Sequence, residues 1–110
     1  MAEDREELTG RIAASARRAL QGQMPASLRE YSFSFDRAAK HIMFKAEVEP
    51  ALTEDERDDL LAAESEVYAD FADDTQVETS IEVVPADLPL RPLPGGVVFL
   101  RSGERAPEAA

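Results

Sequence analysis

Residues 31–48 read YSFSFDRAAKHIMFKAEV and contain two runs in which apolar and polar side chains alternate. Tyr31 and Phe33 alternate with serines in the first run, and Ile42 and Phe44 continue the pattern in the second. A period of two residues is that of a β-strand, whose successive side chains point to opposite faces of a sheet. Since about five residues join the runs, the stretch predicts a β-hairpin with one apolar and one mainly polar face.

Helical patterns flank this hairpin on both sides. Residues 3–21 place apolar side chains four residues apart, with acidic residues in the first turn and basic residues near the end, as in an amphipathic helix. Gly22 is its expected stop. A second helix is predicted over residues 53–71, where Thr53 and Glu56 have the spacing of a capping box.

Two further strands follow the second helix. Residues 76–84 alternate again, and residues 97–101, VVFLR, are typical of a short final strand. The intervening stretch carries four of the seven prolines, so it can form neither a helix nor a central strand. The order αββαββ predicts an α+β two-layer sandwich, with two helices packed on one face of a mainly antiparallel four-stranded sheet. We expect one domain over residues 1–101 and a flexible tail over residues 102–110.

The second face of this sheet should be open to solvent. The alternation assigns mainly polar side chains to it, although a change of one residue in register would exchange the two faces. The residues assigned to this face are Ser32, Ser34, His41, Met43, Lys45, Glu47, Glu78, Ser80 and Glu82.

Composition excludes several classes of function. The 110 residues include no cysteine, which rules out disulfides, a thiol nucleophile and thiolate metal sites and suits a reducing cytoplasm. The N-terminus is acidic, and no apolar run approaches the ~20 residues that span a bilayer, so we expect a cytoplasmic protein. The 23 acidic and 12 basic residues give a net charge of -11. That charge disfavours nucleic acid and membrane surfaces and favours a basic protein partner or a cationic ligand, unless acidity serves solubility alone.

Candidate catalytic and metal-binding groups are few. His41 is the only histidine, it lies in a predicted strand without a serine motif, and the common metal-ligand spacings do not occur. We therefore predict no enzyme activity, no metal and no cofactor. Glu64 is the one acid in the apolar stripe of the second helix, and we expect it to contact a cation, to emerge at the seam between the helices or to contact a partner. The candidate cations are Arg5, Lys45 and Arg101.

The other side of the second helix is almost entirely acidic. At about 100° per residue, six carboxylates fall opposite the apolar stripe, and no lysine neutralises them. Like charges four residues apart weaken a helix by a few tenths of a kcal/mol per pair, so either a cationic partner offsets this cost or the acidity has no partner. The predicted partner-binding residues are Asp55, Asp58, Asp59, Glu66, Asp70 and Asp73.

Three stretches carry a family resemblance: MPASLREYSFSFD at 24–36, HIMFKAEVE at 41–49 and LTEDERDDLLAAESEVYADF at 52–71. Their layout over residues 8–101 resembles small acidic immunity proteins of bacterial contact-dependent inhibition and polymorphic toxin systems. The resemblance implies a cytosolic, non-enzymatic protein that blocks a cognate toxin, often a nuclease with a basic active site, and it carries over no catalytic residues. The residues also fit a small structural or housekeeping protein that forms a homodimer through an edge strand or the open sheet face.

Overall fold

The computed structural model describes residues 4–22, 24–71 and 74–104, which form two helices and four strands. They follow one another in the predicted order αββαββ, so the α+β class is confirmed. The elements are α1 (Arg5–Gln21), β1 (Leu28–Asp36), β2 (His41–Val48), α2 (Glu54–Ala69), β3 (Gln76–Val83) and β4 (Gly96–Leu100).

Both helices begin at a capping box. The Asp4 carboxylate accepts from the Glu7 N–H at 2.8 Å, and the Thr53 hydroxyl accepts from the Glu56 N–H at 3.1 Å. Each cap binds N–H groups that the first turn leaves without a helical partner, so local sequence sets both helix starts. The prediction at Thr53 is confirmed, and α1 ends at Gly22 as predicted. Neither of these helices combines the length and the apolar character needed to cross a bilayer.

The hairpin of β1 and β2 forms the centre of the sheet and of the core. The two strands are antiparallel, with Phe33 opposite Phe44 and Tyr31 opposite Ala46. The rings of Tyr31 and Phe44 stack with their centroids 5.1 Å apart. Both helices pack on this apolar face as predicted, and each buries one stripe of side chains against it. The buried residues of the helices are Ile12, Ser15, Ala16, Ala19, Leu20, Leu60, Ala63 and Val67.

The sheet has the order β3-β2-β1-β4, and its pairing is mixed rather than mainly antiparallel. β1 is antiparallel to β2 and to β4, whereas β3 runs parallel to β2 along its whole length. The prediction of a mainly antiparallel sheet is wrong at this pair because α2 joins the two strands. A helix that crosses the sheet returns the chain to the end where it started, so β3 runs in the direction of β2.

The chain from residue 84 to residue 95, here called the crossover segment, covers the polar face of the central strands. β3 and β4 lie at opposite edges and run in the same direction, so their connection has to cross β2 and β1. It crosses on the face away from the helices. There the Leu93 N–H donates to Ser32 Oγ at 2.9 Å, and Lys45 Nζ donates to the Arg91 carbonyl at 2.5 Å.

The prediction of an open second face is therefore wrong at the centre of the sheet. Ser32, Lys45 and Glu47 are buried beneath the crossover segment. Proline prevents this segment from forming a strand, but its main-chain groups still bind the polar side chains that the strands present. The other residues predicted on this face are half-buried (Ser34, His41, Met43) or exposed (Glu78, Ser80, Glu82).

Gly95 lets the crossover segment approach the backbone of β1. Its N–H donates to the Phe33 carbonyl at 2.9 Å, and a Cβ at this position would lie 2.6 Å from the same oxygen. Glycine therefore fits here, whereas a residue with a side chain would displace the main chain.

We expect Gly95→Ala to lower the free energy of unfolding by about 1 to 3 kcal/mol, because the added methyl group forces the crossover segment away from β1. Gly10→Ala is the matched control, since Gly10 lies in α1 with open space around it. Alanine there should stabilise the helix by about 0.5 to 1 kcal/mol. Urea unfolding measures both variants, and a Gly95→Ala protein as stable as the wild type would contradict this account.

Candidate functional site

The acidic residues predicted to bind a partner form a largely exposed surface on α2. Five of the six lie in the described chain and are here called the acidic surface: Asp55, Asp58, Asp59, Glu66 and Asp70. Asp59 is half-buried and the other four are exposed, while Asp73 lies outside the described residues. The helix contains seven acidic residues and one basic residue, Arg57, so this side of the protein carries a negative potential.

Asp70 differs from the rest of the acidic surface because it joins the two helices. Its carboxylate accepts a hydrogen bond from Ser15 Oγ at 2.6 Å and pairs with Arg18, and both of these residues belong to α1. The hydrogen bonds from Ser15 and then from Arg18 lower the pKa of Asp70. Asp70 therefore stabilises the contact between the helices.

Glu64 lies half-buried on the other flank of α2, close to β3. Within the described chain, none of its three candidate cations contacts it. The Arg5 guanidinium lies over an aromatic ring, and Lys45 and Arg101 bond to other groups. Burial raises the pKa of the Tyr31 phenol, and the nearby Glu64 carboxylate raises it further. In the described chain Glu64 therefore has no buried ion pair with these three cations, and it lies on the side of α2 away from the α1 contact rather than at the seam between the helices.

A pair of buried carboxyl groups lies beneath the crossover segment. Glu30 of β1 stands opposite Glu47 of β2, and the two residues are 0 % and 1 % exposed. The Arg91 N–H donates to Glu47 Oε2 at 2.8 Å. Both Glu30 oxygens and Glu47 Oε1 are buried and have no hydrogen-bond partner among the described residues.

One proton stabilises this pair of carboxyl groups. Burial, together with the charges of Glu47 and Glu104, raises the pKa of Glu30 to about 7, while the Lys45 ammonium acts in the opposite direction. Two adjacent carboxylates out of water repel each other, so Glu30 keeps its proton up to about pH 7. Strand alternation places Glu47 on the polar face, but no local pattern shows that this face is covered.

Arg29 connects β1, the crossover segment and the residues after β4. It is buried, and its guanidinium donates to the main-chain carbonyls of Val84, Pro85 and Leu88 at 3.0, 2.9 and 3.1 Å. Two of its nitrogens also bind the Glu104 carboxylate, at 2.6 and 2.9 Å. The hydrogen bond from Arg29 lowers the pKa of Glu104, so both charges are stabilised where they lie.

A groove of about 580 Å³ opens beside the turn between β1 and β2. Its lining is largely apolar and also includes Arg11, Arg37, Lys40 and His41. His41 Nε2 lies 2.6 Å from Glu78 Oε2 on the neighbouring strand, so the histidine belongs to a cross-strand pair. In the described part of the chain, no three Asp, Glu or His side chains converge as ligands of a metal ion.

Most of the sequence matches the model of one known protein family. A family model described as MafI2 immunity protein matches residues 9–103. The chain belongs to the MafI2 immunity protein family. The MafI2 match runs from within α1 to beyond β4, so it includes the acidic surface and the crossover segment. It confirms the resemblance to immunity-type proteins, and membership implies a protein partner, in general a toxin. No curated protein matches the sequence.

We expect the stability of this MafI2 family member to fall between about pH 5 and pH 8, where Glu30 titrates in the folded state. The pKa of Glu30 is raised from the ordinary 4.5 to about 7. The stability due to its protonated form is therefore complete below about pH 4.5 and is lost as the pH rises through about 7. The loss should be about 2 to 3 kcal/mol.

Glu30→Gln stays neutral and should flatten this dependence, so that the variant is more stable than the wild type at about pH 8. Glu82→Gln, an exposed residue on the same sheet face, is the control and should keep the wild-type slope. Thermal unfolding followed by circular dichroism across this pH range measures all three proteins. Equal slopes for the wild type and Glu30→Gln would show that Glu30 is ionised in the folded state.

Glu64→Gln should change the free energy of unfolding by less than about 0.5 kcal/mol, because Glu64 has no ion pair with the candidate cations to lose. A buried ion pair would lose about 1 to 3 kcal/mol. Leu60→Ala, in the same helix and fully buried, is the positive control and should lose about 2 to 5 kcal/mol. A loss above about 1 kcal/mol for Glu64→Gln in urea unfolding would show that Glu64 does form a buried ion pair.

Proposed function

We propose that this protein is a non-enzymatic immunity protein that neutralises a cognate bacterial toxin by binding to it. The family match over residues 9–103 is the observation that carries the proposal. An immunity protein protects by occupying its toxin, which requires a binding surface and no catalytic group. We place the protein in the cytoplasm, where its lack of cysteine suits the reducing conditions.

The acidic surface of α2 is the proposed contact with a basic toxin such as a nuclease. A toxin that acts on nucleic acid needs a cationic surface to hold the phosphate backbone. An acidic helix laid on that surface would neutralise its charge and exclude the substrate. In support, Asp55, Asp58 and Glu66 are exposed on one helix of a protein with a net charge of -11, and Asp73 follows them along the chain.

Charge complementarity of this kind acts mainly on the rate of encounter and on specificity. Opposite charges steer two proteins together, and dissolved salt screens them. An inhibitor that has to capture its toxin quickly benefits from this steering. The proposed contact therefore predicts an association rate that falls as the salt concentration rises.

The test combines this protein with the product of the adjacent gene, expressed as the candidate toxin. We expect the wild type to bind that product and to restore growth to cells that express it. Asp55→Lys with Asp58→Lys should lower the association rate constant at least about 10-fold at low salt, because two steering charges are reversed. Both residues are exposed, so the fold should survive the change.

Glu6→Lys with Asp87→Lys is the matched control, since both residues are exposed and the change in net charge is the same. It should lower the rate constant less than about 3-fold, because these charges belong to α1 and to the crossover segment rather than to the acidic surface. Stopped-flow fluorescence measures both double variants. If the wild type neither binds the adjacent-gene product nor protects the cells, the immunity function is refuted. Equal association rate constants for the two double variants would refute only the role of α2.

A further inference from the structure

β3 forms one edge of the sheet and has a regular backbone. It pairs with β2 through all 8 of its residues with no shift in register, and no described strand lies on its outer side. Two hydrogen bonds define its orientation. The Gln76 N–H donates to the Lys40 carbonyl at 2.8 Å, and the Val84 N–H donates to the Val48 carbonyl at 2.7 Å.

These two bonds show which main-chain groups of β3 face outward. The N–H and C=O groups of a strand point to alternate sides from one residue to the next. Because Gln76 and Val84 face β2, the even-numbered residues between them face β2 as well. The odd-numbered residues turn their N–H and C=O groups away from the sheet. They are Val77, Thr79, Ile81 and Val83.

This edge lacks most of the usual protections against pairing. Natural edge strands avoid pairing by being short or bulged, or by carrying charged residues, lysine above all, and proline. At the opposite edge, β4 has 5 residues, and its pairing with β1 shifts register between Tyr31 and Ser32. β3 is longer and regular, and it contains neither lysine nor proline. Of the two edges, β3 is better suited to accept another strand.

Two glutamates give one side of this edge a negative charge. Glu78 and Glu82 lie on the sheet face opposite the helices, and their side chains are 61 % and 51 % exposed. Their partners, His41 and the Lys45 ammonium, lie on the inner side, in β2. Since opposite charges on neighbouring strands attract each other, this face favours lysine or arginine in an incoming strand.

The other side of the edge is apolar. Leu61 and Tyr68 are 42 % and 49 % exposed, and they lie about one turn before and one turn after Glu64 on α2. Asp70 contacts α1 on the opposite flank, so this flank of α2 lies on the side of β3. Apolar side chains of an added strand would cover these two residues.

A second copy of this chain fits this edge poorly. Two β3 strands paired edge to edge would bring Glu78 and Glu82 of both copies onto one sheet face. Like charges on paired strands are destabilising, and each copy has a net charge of -11. The charges therefore favour a basic protein as the occupant.

We propose that the toxin adds a β-strand to the outer edge of β3, with basic side chains toward Glu78 and Glu82 and apolar side chains toward Leu61 and Tyr68. This inference rests on the proposed function, because it takes the toxin as the partner. In such an arrangement the main-chain hydrogen bonds supply affinity, and the alternating side chains supply specificity.

Amide hydrogen exchange of the full chain, followed residue by residue by NMR, tests this pairing. The probe is the adjacent-gene product at saturating concentration. In the free protein, the outward amides of Val77, Thr79 and Ile81 should exchange faster than the inward amides of Glu78 and Ser80. In the complex the outward amides should slow by about 100-fold, and the inward amides should change little.

The exchange rates distinguish strand addition by the toxin from binding elsewhere, from no binding and from pairing with a second copy. A complex in which the outward amides keep their free rates overturns strand addition and leaves the proposed function intact. If no complex forms, the proposed function fails and strand addition fails with it. Slow outward amides in the free protein, together with a dimer in sedimentation, overturn the proposal in favour of a second copy.

Glu78→Gln with Glu82→Gln provides a second measurement. Neutralising this face should weaken binding at least about 10-fold, whereas the matched control Glu6→Gln with Asp87→Asn should weaken it less than about 3-fold. Circular dichroism establishes that both variants are folded, and isothermal titration calorimetry measures the affinity. Equal affinities for the two double variants overturn the basic character of the added strand.

Discussion

Alternation along β1 and β2 is the constraint on which the rest of the structure depends. Successive side chains point to opposite faces, so Tyr31 and Phe44 occupy one face while Glu30 and Glu47 occupy the other. The apolar face needs cover, and α1 and α2 provide it. The polar face needs hydrogen-bond partners once it leaves water, and the crossover segment provides them through its main chain.

This division separates the charges that stabilise the fold from those that meet solvent. Arg29 and Glu30 are buried, and contacts made within the chain set their protonation. The charges that remain outside on α2 and β3 are mostly negative, and their mutual repulsion works against the compact state. Asp70 belongs to both groups, because it is exposed and yet joins the helices. The buried contacts therefore have to offset the repulsion between the negative charges at the surface.

Local patterns predicted the elements of this fold, whereas contacts between distant segments were beyond them. The spacing of Thr53 and Glu56 located the start of α2, and the period of two residues located the hairpin. Strand direction depends instead on how connections cross the sheet, so the parallel pairing of β3 and the cover over Glu47 were missed. The candidate site divides in the same way. Helical spacing placed Asp55 on an exposed face, but the contact of Asp70 with α1 depends on how two helices meet.

Arg29 imposes an order on the assembly of the chain. Its partners Val84 and Glu104 follow it by 55 and 75 residues, so a ribosome synthesises β1 long before they exist. Until then the guanidinium of Arg29 and the carboxyl group of Glu30 remain in water. The hairpin and the helices can collapse during synthesis, but the polar face closes only when the crossover segment and Glu104 have left the ribosome. A nascent chain stopped before that point would already contain its acidic helix, but the polar face of its sheet would still be uncovered.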